Sequence, residues 1–565
     1  MISNAFPIVG IGASAGGLEA LSELLRHLAA DTGMGFVVIQ HLDPKRESSL
    51  VALLSRQTPM PVTEVVGETR LAPNHVYVIP PSADLSITEG QLRLNPRPSD
   101  GRRHMPIDHF LRSLASHNGE RVIAVILSGS GSDGALGLAA VKAEGGITFA
   151  QDGSAKYQAM PRSAAATGQV DFVLSPKAIA EELKRIAGHP YLIAAREARP
   201  PAPDETAPEK PDFDYLLKLL RKATGIDFSS YKRGTLERRT KRRMALRQLE
   251  HLADYVALLR DDPAEVRSLY QDLLINVTGF FRDPETFDFL KSQVFSAILR
   301  KRQPDDDLRI WVPGCATGEE VYSIAIGLME YLGDESMAVP VKVFATDVSE
   351  EAIARARTGV YLANISAEVS AERLRRFFTK TDDGYQISKA IREQCVFARQ
   401  DITKDPPFSQ IDLLSCRNLL IYFTARMQKR LIPVFHYALK PGGFLLLGPA
   451  ENLGPNQELF AAVEKRHSIY VKKTGAVRFE LPLAAKSDPL VGTLEHHDRA
   501  PSSPPSVLEI QRAVDRALVS HYVPSGVVVD KNLEILQFRG DTGRYLKPAP
   551  GTASLNLLKM AREGL

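Results

Sequence analysis

A chain of 565 residues is too long for one hydrophobic core, and at about 150 residues per domain it carries three or four domains. Apolar residues at 44% and charged residues at 24% form an ordinary globular mixture, which excludes wholesale disorder, collagen and coiled coil. Lys and Arg total 70 against 67 Asp and Glu, so a net charge of +3 gives no whole-molecule attraction for nucleic acid or membrane, and any charge-driven contact is local. The three cysteines, Cys315, Cys395 and Cys416, form no C-x-x-C pair and support neither a disulfide framework nor a cysteine zinc site. The amino terminus lacks a basic stretch leading into an apolar run, and no stretch of about 18 uncharged apolar residues occurs. A cytoplasmic protein with no membrane insertion and no resident metal is expected.

In chain order, strand-like runs at Ile8 to Ile11, Phe36 to Ile39, Val76 to Ile79, Val122 to Leu127 and Ile147 to Ala150 alternate with amphipathic helical runs at Leu18 to Leu28, Ser48 to Leu54, Asp108 to Ser116 and Leu136 to Ala143. This alternation predicts an α/β domain over 1–190 with a mostly parallel sheet. A proline-rich linker follows at 191–211, its core reading RPPAPDETAPEKP. Residues 212–292 show helical spacing without strand patterns, a small all-α module. The α/β alternation resumes over 293–474, with strands at Leu308 to Val312, Val341 to Thr346, Ile411 to Ser415 and Gly443 to Leu447. A polar linker at 475–505 precedes a tail at 506–565, which predicts a helix at Leu508 to Leu518 and a strand pair at Ser525 to Val529 and Leu533 to Phe538. The fold class is α/β: two Rossmann-like doubly wound domains, an all-α module between them and an α+β fragment that stops short of a whole domain.

The first strand runs into Gly10-Ile11-Gly12-Ala13-Ser14-Ala15-Gly16-Gly17. Read as G-x-G-x-x-A it is a dinucleotide fingerprint, for which Asp43 would serve the ribose; read as G-x-S-x-G it presents Ser14 as a nucleophile; a plain glycine-rich turn is the third reading. A serine hydroxyl needs a base and an orienting acid. His41 follows the second strand and Asp133 lies in the loop after Val122 to Leu127, so three strand ends bring Ser, His and Asp to one sheet edge. Taken singly, His41 reads as structural and Asp133 as a helix cap.

Residues 1 to about 190 resemble the catalytic domain of the chemotaxis receptor methylesterases (CheB type). The matching stretches are Ile11 to Gly17, Gln40-His41, Leu127 to Ala135, Gly146 to Asp152 and Met160 to Ala165. The resemblance implies hydrolysis of glutamyl methyl esters with Ser14, His41 and Asp133 as the triad. Three positions depart from the family: Ala15 stands for its usual Thr, Ser130 for its usual Met, and a common His is replaced near Asp84. The family's phosphate-accepting receiver is absent ahead of the first strand, so control by phosphorylation in cis is not expected.

Within the helical module, Lys232 to Arg247 carries eight cations against one Glu, including Arg238, Arg239, Arg242 and Arg243. The readings are a solvated helix face or a surface for an anionic protein; no interleaved aromatics support nucleic acid. Further on, Leu308 to Glu320 reads as strand, small-residue turn and acidic helix start. Glu319 and Glu320 would repel a phosphate, and S-adenosylmethionine, a sulfonium cation, fits better. Asp347 ends the next strand, where Rossmann-type sheets bind ribose.

Residues 213–473 resemble the chemotaxis receptor methyltransferases (CheR type) through Asn276 to Arg282, Gly314 to Ser323, Ala345-Thr346-Asp347, Cys416 to Phe423 and Gly442 to Glu451. Carried over by position, the cofactor contacts fall on Asn276, Thr278, Arg282, Glu320, Asp347, Asp401, Ile402, Arg417 and Asn418. Arg282 and Tyr422 are candidates for methyl transfer; the alternatives are that Arg282 only anchors the cofactor and that Tyr422 is core. The basic helix then corresponds to the family's receptor-facing helix, with Arg238, Arg239, Arg242 and Arg243 meeting the anionic methylation helices of methyl-accepting chemotaxis-type receptors. The tail resembles the start of a PAS-type sensor, with a helical appendage and hairpin as the other reading; the resemblance implies a downstream histidine kinase or response regulator. Together these imply a bifunctional enzyme that methylates receptor glutamates and hydrolyses the esters. Its alternatives are a methyltransferase with a non-catalytic regulatory first domain, or a sensory scaffold.

Overall fold

The alternation of strand and helix signals is realised as two separate seven-stranded sheets. The structure, a computed structural model, describes residues 6–41, 48–81, 83–97, 104–194, 211–275, 277–301, 306–333, 339–382 and 384–473, with two further strands at 526–529 and 535–539. The chain forms two compact units, 1–484 and 485–565.

The first domain contains β1 (Ile8–Ala13), β2 (Gly35–Gln40), β3 (Val62–Glu64), β4 (Thr69–Arg70), β5 (His75–Val78), β6 (Ala83–Thr88), β7 (Gln91–Pro96), β8 (Val122–Ile126), β9 (Ile147–Gln151) and β10 (Phe172–Leu174). Its main sheet has the order β10-β9-β8-β1-β2-β5-β3, and every pairing is parallel. β1, β8 and most of β2 are buried, as their near-continuous Val, Ile and Ala content requires when helices cover both faces. The chain leaves β1 toward β2 and β5, then returns to β8 on the other side. The carboxyl ends of β1 and β8 therefore flank a crevice. The edge strands β3 and β10, and the antiparallel β4-β7-β6 sheet, go beyond the sequence reading.

The helical module packs helices Pro211–Thr224, Arg233–Leu246, Leu252–Asp261 and Pro263–Leu273 around Leu216, Leu220, Phe228, Leu236, Tyr255 and Leu269. The second α/β domain contains β11 (Leu308–Pro313), β12 (Val341–Asp347), β13 (Val360–Leu362), β14 (Phe378–Lys380), β15 (Gly384–Ile387), β16 (Cys395–Arg399), β17 (Ile411–Cys416), β18 (Leu439–Leu447), β19 (Phe460–Glu464) and β20 (Ile469–Lys472). The main order is β16-β12-β11-β17-β18-β20-β19, parallel except where β20 meets its neighbours. Phe280, Phe287, Leu290 and Phe295 share a core with Ile310, Ile324 and Val343. Phe280, Phe287 and Leu290 precede residue 293, so the sheet's hydrophobic core reaches back across the boundary read from spacing.

The basic helix Arg233–Leu246 is where the structure departs most from expectation. Arg239 and Arg242 are buried at 2% and 0% exposure. Arg239 donates to the carbonyls of Lys142 and Ala143, at the carboxyl end of helix Ala135–Ala143, where the helix dipole favours a cation. Arg242 donates through Nε to the Gly146 carbonyl at 2.9 Å, through Nη1 to Asp272 at 2.5 Å and through Nη2 to Asp171. Burial alone would raise the Asp171 carboxyl, but Arg242 and Lys142 outweigh it and hold it below the usual carboxylate range. Arg243 is bidentate to Glu265 within the module. Of the receptor-facing surface expected from Arg238, Arg239, Arg242 and Arg243, burial takes away Arg239 and Arg242. Arg239 and Arg242 serve an interface inside the chain, Arg243 closes an internal pair, and Arg238 is half-buried. The exposed cations of the run Lys232 to Arg247 are Lys232, Arg233, Lys241 and Arg247.

In the second unit, β21 (Gly526–Val529) and β22 (Ile535–Arg539) pair antiparallel, at the place predicted for the strand pair. The helix expected at Leu508 to Leu518 lies outside the described residues. No helix among the described residues is long and apolar enough to cross a membrane.

Replacing Arg242 by Ala leaves the buried Asp171 and Asp272 carboxylates with Lys142, at 3.2 and 3.8 Å, in place of the guanidinium they shared, a loss of up to about 3–5 kcal/mol. Calorimetry of the full chain should show a lowered melting transition for Arg242→Ala, and little change for the exposed Lys241→Ala.

Candidate functional sites

At the end of β1 the chain turns through Ser14, Ala15 and Gly16 into helix Gly17–His27. Gly16 has φ 68°, and a Cβ there would lie 2.8 Å from Ser128 Oγ, so both backbone angle and space require glycine. Ser14 N–H donates to the Ser128 carbonyl at 3.0 Å, which ties the turn to the end of β8. The Ser14 hydroxyl lies 3.1 Å from His41 Nδ1, and His41 Nε2 lies 2.7 Å from Asp133 Oδ2. His41 is 30% exposed and Asp133 2%, so the imidazole meets the cleft while the carboxylate is enclosed. Asp133 also accepts the amides of Ile107 at 3.1 Å and Asp108 at 2.9 Å, at the positive end of helix Pro106–Asn118. The structure thus brings Ser14, His41 and Asp133 into one hydrogen-bonded chain. Such a chain can move a proton from serine to imidazole while a fixed anion balances the charge.

A cleft beside His41 is lined by Ile79, Arg97, His104 and Ser130. Asp84, where the methylesterase resemblance lacks its common His, is buried and receives His104 Nε2 at 2.5 Å. An imidazole thus reaches this place from another element, which a linear reading cannot show.

The second site lies at the carboxyl ends of β11, β12, β16 and β17. Its pocket encloses about 890 Å³ of empty space, open mouth included. Thr278, Arg282, Glu320, Asp347, Asp401, Ile402, Arg417, Asn418 and Tyr422 all line it; Asn276 lies outside the described residues. Asp347 accepts the amides of Ala316 at 3.0 Å and Ser349 at 2.8 Å, and burial nonetheless raises its carboxyl above the usual range. Glu320 accepts the Ser415 hydroxyl at 2.6 Å; burial raises it, with Arg417 pulling the other way. Arg417 donates to the Arg282 carbonyl at 2.9 Å and to Asp283 at 2.5 Å.

Two further features were missed by sequence reasoning. Tyr231, from the helical module, and Gln400 line the pocket. Buried Glu451 accepts three amides, those of Asn418, Leu420 and Gly448 at 2.9, 2.6 and 2.7 Å, and so fixes the loop bearing Arg417 and Asn418. Four non-glycine residues with left-handed backbone, Phe281, Asp283, Ala316 and Asn418, lie in the loops that form or flank this pocket. Each conformation costs about 1–3 kcal/mol, a pattern found where a loop is held for a ligand.

The donor set fits S-adenosylmethionine. Glu320, Asp347 and Asp401 suit a ligand with cationic centres, while the buried Arg417 Nε and Nη1, Asp401 Oδ2 and Gln400 Oε1 have no hydrogen-bond partner among the described residues.

Fold and sites define a class: a Ser-His-Asp hydrolase sheet joined through a helical module to a methyltransferase sheet. Comparison with known proteins sharpens this. A family model described as CheB methylesterase matches residues 9–183, one described as CheR methyltransferase, all-alpha domain, matches 211–274, and one described as CheR methyltransferase, SAM binding domain, matches 276–469. A putative methyltransferase of Pseudomonas putida, Cher3, is 33% identical over 269 residues, covering 46% of this chain and 92% of that protein. A protein of Rhodobacter capsulatus, described as an uncharacterized 104.1 kDa protein, is 35% identical over 549 residues, 91% of this chain; the chain spans 56% of that relative's length. The Thermotoga maritima CheB methylesterase catalytic domain is similar at 30% identity, with a TM-score of 0.31, over 32% of this chain and 98% of that structure. The chain belongs to the CheR-type chemotaxis methyltransferase family and carries a CheB methylesterase domain ahead of it.

At metal sites, removing a group that orients a ligand from behind costs about 10–100-fold in affinity, and Glu451 orients the Asn418 loop in the same way. Glu451→Ala should weaken binding of S-adenosylhomocysteine by at least about tenfold in calorimetric titration, with the secondary structure of the chain unchanged.

Proposed function

We propose that the chain both methylates glutamate side chains of chemotaxis-type receptors and hydrolyses the resulting methyl esters. The observation that carries the hydrolytic half is the unbroken contact from Ser14 through His41 to Asp133. Ser14 Oγ attacks the ester carbonyl as His41 takes its proton. The tetrahedral centre collapses, His41 returns the proton to the departing methoxide, and methanol leaves. Water activated by His41 then releases the glutamate from Ser14. This connected triad supports turnover over a purely regulatory first domain, whatever Ala15 and Ser130 contribute.

In the second site, bound S-adenosylmethionine supplies an electrophilic methyl group on a sulfonium sulfur. Asn276, Thr278, Glu320, Asp347, Asp401, Ile402, Arg417 and Asn418 are the residues that would hold it. The receptor carboxylate, with a reference pKa of about 4.3, is already ionised and needs no strong base. The work left to the protein is orientation, which can supply roughly 7–11 kcal/mol. Arg282 and Tyr422 are assigned to it, Arg282 attracting the incoming carboxylate and Tyr422 bounding the pocket. The receptor approaches through groups other than Arg239 and Arg242, which are engaged within the chain. The PAS-type reading of the tail, and any kinase or regulator downstream of it, stays a proposal resting on the paired strands β21 and β22.

Two measurements test the assignments. Methanol release from a methylated receptor peptide should fall to background in Ser14→Ala; equal rates in the two proteins would remove the esterase reading. Methyl incorporation from labelled S-adenosylmethionine should drop about 10²-fold in Arg282→Ala, in the range reported for misplaced reactants. Methyl incorporation unchanged by that substitution would return Arg282 to a passive wall.

A further inference from the structure

Two acidic side chains at the esterase site each serve the helix that the other belongs to or introduces. Asp133 stands two residues ahead of helix Ala135–Ala143, yet its carboxylate accepts the Ile107 and Asp108 amides that open helix Pro106–Asn118. Asp108 lies in the first turn of Pro106–Asn118, yet its Oδ1 accepts the Gly137 amide, in the first turn of Ala135–Ala143, at 2.6 Å. The helices can approach this closely because Gly137 and Gly134 have no side chains. A Cβ on Gly137 would lie 2.6 Å from Leu111 Cβ, and one on Gly134 2.9 Å from Ile107 Cγ2. Asp108 is 3% exposed, and its second oxygen is buried with no hydrogen-bond partner. An ionised oxygen left in that position would carry a far larger desolvation cost than a protonated one.

We propose that Asp108 is a positioning residue of the esterase: a neutral carboxylic acid that locks the two helix starts together and so holds Asp133 on His41. This rests on the esterase reading of Ser14, His41 and Asp133. The charged groups facing Asp108 are Asp133 on the neighbouring loop, Arg112 one turn along its own helix, and Glu368 of the methyltransferase domain, which pairs with Arg112 at 2.6 Å. Burial and then the Asp133 charge push the Asp108 carboxyl up to about 8, against the pull of the Gly137 amide and Arg112. Its proton is therefore held at neutral pH. Because the folded value lies above the ordinary carboxylate value, the stability tied to this proton is complete in acid and declines as pH rises toward about 8. Ionisation places a second negative charge beside Asp133 and loosens the cross-tie. Esterase turnover should fall on that limb.

The test uses the full chain as wild type, Asp108→Asn, Asp108→Ala and Ser14→Ala, with methanol release from a peptide bearing a glutamate γ-methyl ester as the activity readout. Asn keeps an oxygen for the Gly137 amide and cannot ionise. It should retain near-wild-type kcat at pH 7 and lack the alkaline decline near pH 8, whereas Ala should lose on the order of 10²-fold in kcat with KM little changed. An Asn variant as impaired as Ala, or one with the wild-type alkaline decline, overturns the proposal. A second readout is independent of turnover: the low-field proton resonance of the His41 Nε2–H to Asp133 hydrogen bond. It should persist in Asp108→Asn, fade above pH 8 in wild type only, and be lost in Asp108→Ala. Wild-type turnover no greater than that of Ser14→Ala defeats the esterase reading, while the resonance still decides whether Asp108 positions Asp133. If Ala fails to fold by circular dichroism, the Asn arm decides alone.

Discussion

A fully buried guanidinium must find acids or carbonyls for its donors, and Arg242 finds them in two domains at once. Asp171 and the Gly146 carbonyl come from the first α/β domain, Asp272 from the helical module. Neither side satisfies Arg242 by itself, so the charge that makes the helix look like a surface is the charge that binds it inside. Burying ions this deeply adds little net stability relative to apolar packing. In this docking Arg242 meets both acids and Arg239 binds the end of helix Ala135–Ala143, so the two buried guanidiniums join the basic helix to the first domain at two adjacent points.

Both sites follow from the same rule of parallel sheets, that loops at the carboxyl ends of strands flanking a reversal of strand order are free to converge on a ligand. In the first sheet the reversal lies between β1 and β8, and the triad comes from the ends of β1, β2 and β8. In the second it lies between β11 and β17, whose following loops carry Glu320 and Arg417. The two solutions differ in chemistry. The hydrolase site concentrates one fixed charge behind an exposed imidazole, whereas the methyltransferase pocket distributes acids around a cavity and spends backbone strain at Ala316 and Asn418 to hold its loops.

Much of this was legible in the sequence because strand ends and small-residue turns are local signals. Ser14, His41 and Asp133 each follow an apolar run, and the strands predicted around them formed where expected. Glu320 and Asp347 were suggested by local pattern, whereas the other pocket residues from Thr278 to Tyr422 were reached through family resemblance, since the pocket draws on five separated segments. What stayed hidden was pairwise. A run of arginines does not disclose that Asp171, some 70 positions away, awaits Arg242. Asp84 gives no sign of His104, nor Glu451 of the three amides it collects. The short edge strands, such as Val62–Glu64, carry too few apolar residues to stand out.

The placement of Tyr231 bears on how such enzymes can be divided. Its ring packs 4.7 Å from that of Phe423, and the next residue, Lys232, donates its amide to the Tyr422 carbonyl at 2.8 Å. One wall of the cofactor pocket therefore belongs to the helical module, not to the sheet that bears the binding loops. Cutting the chain between module and sheet would remove that wall and expose Phe423 and Tyr422 to water. The pocket is thus complete only with module and sheet together, and in this chain the first α/β domain precedes the helices and leaves that wall intact.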